Sequence, residues 1–451
     1  MSRTSSSRPV KNGNPPCSTA PSNILPRPRV RAGSNPRGAL VRANKRSGSV
    51  RFCRSEQQPS GSIPGTVASG PSTNATTVPI PADHLSSRGS FALPNNAEGR
   101  KLTDLLELLA DEFFEIAART VKEAGEPSYR MDQLRRWLYE RTPQAFSDME
   151  GLPLSLRDHL AERFVLHPLD YDLDMLSEDG TRKFLWQREQ GNDAGRIESV
   201  LIPEGDRVTY CISTQAGCPV KCTFCATGYG GFSGNLSTAE IIDQVVQIRM
   251  RTSLVPTNLV FMGMGEPLLN FDGLLRALSI MTDSRQLGFG SRRITVSTVG
   301  IPERIRQLSR AFPQVKLALS LHAVDQGLRD ELVPLNLKYP LDEVLDAVRE
   351  HCDVTGKKVT FEYVILPGVN DSADDAKAVA SKVRGIPASI NLIGFNPFDE
   401  APYRKPALKS MLVFRDELDG SFAGEVTLRR SRGEDIQGAC GQLSLKNRPA
   451  T

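Results

Sequence analysis

The 451-residue chain contains no apolar run of eighteen or more residues, so nothing in it reads as a membrane-spanning helix. Its eight cysteines are too few and too unevenly spaced for a disulfide scaffold, which sets aside the small secreted frameworks. Acids are missing from residues 1–55, which carry twelve Lys and Arg; the first acid is Glu56. That absence makes the formal charge of +4 deceptive, because residues 56–451 hold 44 basic and 52 acidic residues, a net of −8. The body is therefore not a broadly basic nucleic-acid binder, and any RNA contact has to come from a local patch. Large apolar residues are scarce in residues 1–96, which are rich in Ser, Arg, Pro, Gly and Asn. Such a stretch buries too little surface to fold, so a disordered tail is expected. An Arg- and Ser-rich, acid-free N-terminus also has the composition of an organellar transit peptide. Abundant Ser and Pro and the lack of an amphipathic Arg helix favour a plastid over a mitochondrion; a tail with no address would leave the cytoplasm. Cys17 and Cys53 are given no function.

What is present begins near residue 100. Leu102, Leu105, Leu106, Leu109, Phe113 and Ile116 recur at helical spacing with charges between them. Met131, Leu134, Trp137 and Leu138 mark a second helix, and Leu154, Leu156, Leu160 and Phe164 a third, after the Gly151-Leu152-Pro153 turn. Residues 97–190 are therefore expected to form a small helical accessory domain. Arg130, Arg135 and Arg136 in it offer phosphate contacts, although such a run is more often a solvated helix face. Thr181–Gln187 and Arg196–Ile202 read as strands leading onward. From Val208 strands and helices alternate, with Ser237-Thr238-Ala239-Glu240 as a capping box. Six strands are counted, ending at Ile390–Phe395. Repeated βα units imply a parallel sheet with right-handed crossovers, and six rather than eight imply an open partial barrel, α/β in class, over residues 191–400. Residues 401–451 form a C-terminal extension.

The chain is organised around Cys218-Pro219-Val220-Lys221-Cys222-Thr223-Phe224-Cys225, directly after the first barrel strand. Active sites in such barrels sit at the C-terminal strand ends, where this loop falls. Three thiols spaced C-x₃-C-x₂-C can bind three irons of a four-iron cluster and leave the fourth open to a ligand. A zinc knot with Cys211 as fourth ligand is the competing reading, but zinc sites usually pair two separated C-x₂₋₄-C hooks. A thiolate-bound cluster calls for a reducing compartment. Other strand ends carry Gly265 and Glu266 (in MGMGEP), Ser297, Ser320-Leu321-His322, and Asn396. Glycine admits close backbone approach and Glu266 accepts bonds from an ammonium, but each residue alone is an ordinary turn or polar cap. Their shared rim raises them above that baseline. Glu198 sits among apolar residues on a strand, and Cys440 lies between small residues in GACGQ, a setting that leaves a thiol accessible. Cys352 is taken as a buried apolar filler.

The cysteine spacing, with an aromatic residue before the last thiol, resembles the signature of radical S-adenosylmethionine (SAM) enzymes. The stretches IESVLIPEGDRVTYCISTQAGC, MGMGEPLLN, SLHA, NLIGFNPF and RGEDIQGACGQL more narrowly resemble the RlmN family of dual-specificity RNA methyltransferases. The resemblance runs from about residue 100 to Leu443. It implies a radical SAM partial barrel, a [4Fe-4S] cluster on Cys218, Cys222 and Cys225, and two SAM per turnover. It implies methylation of adenosine C2 in ribosomal RNA and in transfer RNA next to the anticodon. In the family's scheme Cys440 is methylated by one SAM, and a radical from a second SAM takes hydrogen from that methyl. The methylene radical then adds to C2, Glu198 removes the C2 proton, and Cys211 resolves the thioether by forming a disulfide with Cys440. Gly265, Glu266, Ser297, Ser320, Leu321, His322 and Asn396 match positions that contact SAM. A ferredoxin- or flavodoxin-type electron donor, a dithiol reductant of thioredoxin type and a monomeric state are further implications, as is RNA binding by the helical module.

Three rivals remain at this stage. Cfr-type relatives methylate C8 of the same base and share these motifs. A radical SAM enzyme for a peptide or small molecule would need no RNA. A zinc-binding RNA module would do no chemistry.

Overall fold

The structure, a computed structural model, describes residues 102–188 and 195–444, all within one compact unit. The expectations for residues 1–96 lie outside the described residues.

Helical spacing begins at Leu102, yet the first helix starts only at Ala110. The Asp104 carboxylate accepts the Leu106 N–H at 3.0 Å and closes a short 3-10 turn over Leu105–Glu107. Glu112 then reaches back to the Leu109 N–H at 2.9 Å, opening α1 (Ala110–Glu123). α2 (Arg130–Arg136) runs into a π-turn over Trp137–Arg141, closed by Thr142 at φ 51°. α3 (Leu154–Ala161) stops short of Phe164, which pairs instead in a two-residue parallel bridge with Thr103. Phe113, Leu134, Leu138, Leu156 and Leu160 are buried between these helices.

His167 fastens this module to the barrel. Its Nδ1 lies 2.6 Å from Asp243 and its Nε2 2.8 Å from the Pro143 carbonyl, while Asp243 also accepts the Leu169 N–H at 3.1 Å. A strand that sequence reasoning missed follows at once. β1 (Leu169–Leu176) pairs with β2 (Arg182–Arg188), β2 with β3 (Arg196–Glu204), and β3 with β4 (Arg207–Cys211), all antiparallel. Its Asp-Tyr-Asp-Leu-Asp pattern reads as polar coil, and only the ladder to β2 makes it a strand.

From β4 the sheet is parallel: β5 (Asn258–Phe261), β6 (Ile294–Thr298), β7 (Lys316–Ser320), β8 (Val359–Ile365), β9 (Ala388–Gly394) and β10 (Glu425–Arg429) join in order. The connections carry α4 (Thr238–Thr252), α5 (Phe271–Thr282), α6 (Pro302–Ala311), α7 (Gln326–Leu332), α8 (Leu341–Thr355), α9 (Ala373–Lys382) and α10 (Leu408–Ser421). The expected capping box opens α4: Ser237 Oγ accepts from Glu240 N at 3.1 Å and Glu240 Oε2 from Ser237 N at 2.7 Å. β10 is a seventh parallel strand beyond the six expected, built by α10 and Glu425–Arg429 after Asn396. It brings the chain back to the sheet edge immediately before Cys440.

Ladder register shows what the two faces carry, because residues directly opposite share a face. Ile294, Val296, Leu317, Leu319, Phe361, Ile390 and Leu392 are buried on one face and belong to the main apolar core with residues of the crossover helices. On the other face Lys183 stands opposite Val200, Val200 opposite Cys211, and Cys211 opposite Val260. Further round, Ser297 stands opposite Ala318, and Ser320, Glu362, Asn391 and Thr427 form one row. The barrel interior is thus polar where a packed barrel would be filled with branched apolar residues.

Candidate active site

The cysteine loop is held by backbone close to its own thiols. Cys218 N donates to the Gly231 carbonyl at 2.8 Å, Cys225 N to Cys222 O at 3.2 Å, and Thr223 N to Leu332 O at the end of α7 at 3.1 Å. Gly217 sits at φ 77°, where a Cβ would lie 2.0 Å from the Gly231 carbonyl oxygen, so only glycine permits this approach. Lys221 turns the loop at φ 59° and points its side chain outward. Burial, and then the neighbouring Cys225, push the Cys218 thiol up to about 12. The same causes push Cys222 well above its ordinary range. Without a cation these sulfurs stay protonated; a cluster's irons are the partner that turns such thiols into thiolates. Three free thiols in one loop fit that role by donor chemistry. Among the described residues, no three His, Cys, Asp or Glu converge tightly enough to grip a single ion.

The rim residues surround this loop. Glu266 is buried; it accepts the Leu268 N–H at 3.0 Å and the Val299 N–H at 2.9 Å. Burial raises its carboxyl to about 7, against those hydrogen bonds. Gly265 is at φ 100°, and a Cβ there would lie 2.5 Å from the Gln215 Cβ. His322, at φ 58°, accepts the Val364 N–H on Nδ1 at 3.1 Å and packs against the Phe224 ring at 4.5 Å. Burial first, and then Arg329, lower it to about 3, so it is a neutral imidazole. Ser297 and Ser320 share the interior face at neighbouring strand ends, while Leu321 is fully buried and contributes backbone. Asn396 is already engaged: its Nδ2 donates to the Cys440 carbonyl at 2.9 Å and its Oδ1 accepts from Ser431 Oγ at 2.6 Å.

The C-terminal segment closes the site. Ala226 N donates to the Gly441 carbonyl at 2.7 Å and Thr227 Oγ1 to the Leu443 carbonyl at 2.7 Å, so Cys440 is strapped against the cysteine loop. Gln442 Nε2 donates to Pro397 O at 3.0 Å. Cys440 keeps an exposed surface, the measure that governs access, although crowding lifts its thiol to about 11. Cys211 is buried and raised to about 12, by burial first and then by Cys440. The two thiols, more than 200 residues apart, are thus within electrostatic reach of each other, and Arg429 bears on both. Glu198 lies on the same face as Cys211, two residues along β3 from Val200. Behind it, Ser199 Oγ accepts the Trp186 indole N–H at 3.0 Å and donates to Gln244 at 2.6 Å, fixing β3 on α4.

Four interior residues escaped sequence reasoning. Lys183 is 3.0 Å from Glu198. Glu362 accepts from Asn391 Nδ2 at 2.9 Å and faces Arg429 at 3.6 Å. A charged residue between apolar ones on a strand was a signal at Glu362 as it was at Glu198. Lys183 and Arg429 gave none beyond ordinary edge charges.

A polar barrel interior, a three-thiol rim loop and a thiol-bearing strap fit a radical SAM enzyme. Residues 212–379 match the radical SAM superfamily, and residues 107–166 match a ribosomal RNA large subunit methyltransferase N-terminal domain. The crystal structure of a radical SAM methyltransferase from Sphaerobacter thermophilus is 40% identical, with a TM-score of 0.72, and covers 76% of this chain and 100% of that one. A probable dual-specificity RNA methyltransferase RlmN from Thermotoga maritima is 44% identical over 340 residues, 75% of this chain and 97% of that protein. The dual-specificity RNA methyltransferase RlmN of Desulfotalea psychrophila is 41% identical over 356 residues, 76% of this chain and 96% of that one. The chain belongs to the RlmN family of radical SAM, dual-specificity RNA methyltransferases. Its cofactors are a [4Fe-4S] cluster and SAM, and the zinc-module reading falls away.

Proposed function

We propose that the protein methylates C2 of adenosine in ribosomal RNA and in transfer RNA next to the anticodon, using Cys440 as methyl carrier, Cys211 as resolving thiol and Glu198 as base. The observation that carries this reading is the strap. The Ala226–Gly441 and Thr227–Leu443 hydrogen bonds set Cys440 beside the cysteine loop, and Cys440 bears electrostatically on Cys211. Adenine C2 lies between two ring nitrogens and is too electron-poor to attack a methyl group, so the carbon has to arrive as a radical.

Cys218, Cys222 and Cys225 would hold the cluster, and Gly265, Glu266, Ser297, Ser320, Leu321 and His322 would line the SAM site. Asn396 acts there by bracing Cys440. Cluster and SAM together supply a 5′-deoxyadenosyl radical by one-electron cleavage of SAM. The chain's residues do the rest. The Cys440 thiolate first takes a methyl group by displacement, releasing S-adenosylhomocysteine, and Arg429 favours that thiolate. After hydrogen abstraction, the Cys440 methylene bonds to C2, and the one electron the ring then loses would return to the oxidised cluster. Glu198 takes the C2 proton. The Cys211 thiolate then attacks the Cys440 sulfur; the S–CH₂ bond breaks, its electron pair passes to the methylene, and a proton completes the new methyl group. The resulting Cys211–Cys440 disulfide calls for a dithiol reductant, and the radical step for a ferredoxin- or flavodoxin-type donor. The acid-free residues 1–55 support import into a plastid, and the family precedent supports a monomer.

The test is anaerobic reaction with ribosomal and transfer RNA, followed by digestion to nucleosides and mass spectrometry against standards. 2-Methyladenosine is expected; 8-methyladenosine or unmodified adenosine would contradict the proposal.

A further inference from the structure

We infer that Lys183 is a positioning residue for the methyl transfer: it holds the Glu198 carboxylate in place and ties it to the loop carrying Cys440. The inference rests on Glu198 acting as the base, as proposed above.

Lys183 and Glu198 are diagonal neighbours on the interior face, since Lys183 stands opposite Val200 and Leu185 opposite Glu198. Lys183 Nζ lies 3.0 Å from Glu198 Oε1, with only 4% and 3% of the two side chains exposed. The same ammonium is 3.4 Å from the Gln437 carbonyl, three residues before Cys440. Gln437 itself is turned to φ 50°, so this part of the loop has a defined, unusual backbone. The hairpin between β1 and β2 grips the same loop further along. Ser177 Oγ donates to Asp435 at 2.6 Å, Glu178 N to Asp435 at 3.2 Å, and Gly433 N to Asp179 at 3.1 Å. Lys183 is therefore the inner end of a clamp whose outer end is a turn, and it joins base to methyl carrier.

The chemistry needs such a group. A carboxylate this buried needs a partner that fixes its place, and the Lys183 ammonium is that contact. To act as base, Glu198 must be an anion when C2 carries the Cys440 methylene. The C2 proton then moves to the carboxylate, and the C–H electron pair stays to restore the aromatic ring. Other groups facing Glu198 are Leu185 and Gln187 on β2, Cys211 one row away on β4, and Met264, whose sulfur accepts the Glu198 N–H at 3.3 Å. Arg196, at the far end of that face, is held by Gln187 at 2.8 Å and faces Asp172 at 3.9 Å.

The experiment compares Lys183→Met, Lys183→Arg and Glu198→Gln in the full-length protein, purified anaerobically with its cluster and given RNA. Three readouts are taken: S-methylation of Cys440 by intact mass, covalent protein–RNA adduct on a denaturing gel, and the rate of adduct breakdown. Lys183→Met is expected to methylate Cys440 normally yet accumulate adduct. Its breakdown should be slowed about tenfold or more, because the base is no longer held against the C2 proton. Lys183→Arg is expected to recover most of the rate. A Lys183→Met protein with wild-type adduct lifetime would overturn the inference while leaving the base intact, provided Glu198→Gln still traps adduct. Loss of Cys440 methylation in Lys183→Met would assign a general structural role and also overturn it. Normal turnover by Glu198→Gln would remove the base reading itself.

Discussion

Arg329 offers the sharpest test of how the rim is held. This fully buried guanidinium on α7 reaches three segments. Its Nε donates to Leu321 O at 3.1 Å, and its Nη2 to Val299 O at 2.8 Å and Ser320 O at 3.1 Å, while Nη1 contacts Asn336 Oδ1. Burial pulls it down to about 10, so it stays charged at neutral pH. Arg329→Met keeps the length and removes every donor. Each stranded buried acceptor costs about 1–3 kcal/mol. Water can reach the carbonyls nearest the rim, so the net loss is set at about 3–5 kcal/mol. That is a large part of a stability of about 5–15 kcal/mol. A melting temperature lower by roughly 5–10 °C follows, with a matching fall in urea midpoint. Because Val299 also donates to Glu266 at 2.9 Å, SAM affinity is expected to fall about tenfold or more. Arg329→Lys, keeping charge without the planar fork, should fall between. A midpoint within about 1 kcal/mol of wild type, with unchanged SAM binding, would refute the claim that one cation organises these strand ends.

Gly265→Ala combines a left-handed backbone with a Cβ 2.5 Å from Gln215, so a loss of about 2–5 kcal/mol is expected. Gly205→Ala, also at positive φ but with open space around it, should cost only about 1 kcal/mol; equal losses in urea unfolding would contradict the overlap argument. At His167 burial opposes the charge, but the Asp243 carboxylate 2.6 Å away outweighs it, and the net shift is upward. A raised histidine gives its stability in full below its unfolded value of about 6.5 and loses it as pH rises through the folded value. His167→Gln should therefore be markedly less stable than wild type at mildly acidic pH and nearly equal to it well above neutrality. A pH-independent difference in thermal melts would contradict the ion pair.

Much of this architecture was legible because the local signals agreed with the global one. The Ser237–Glu240 capping box opens α4 as expected, and the strands of the repeat from Val208 to Phe395 lie within a residue or two of their expected limits. What escaped was decided by pairing rather than pattern. β1 carries three aspartates in eight residues and becomes a strand only by laddering to β2, and β10 needs β9 beside it. The Leu102–Ile116 stripe spans a capped turn and a helix because the turn's Leu105 and Leu106 and the helix's Phe113 are buried in one core, so periodicity alone could not see the Asp104 break. At the site, the thiol loop, Glu198, the rim residues and Cys440 were visible as chemistry out of place in its surroundings. Lys183, Glu362 and Arg429 were not singled out, because their meaning lies in which face the register gives them. The pairing of Cys211 with Cys440 came from resemblance alone; the hydrogen bonds to Gly441 and Leu443 fix Cys440 beside the cysteine loop.

The most direct measurement is on Cys211→Ala, expressed with iron supply and run on a denaturing gel with and without ribonuclease. A slowly migrating band that collapses on ribonuclease treatment is expected, because the Cys440–C2 thioether forms and has no thiol to resolve it. A cluster-loaded Cys211→Ala protein that forms no adduct, or that methylates RNA at the normal rate, would contradict the two-thiol mechanism.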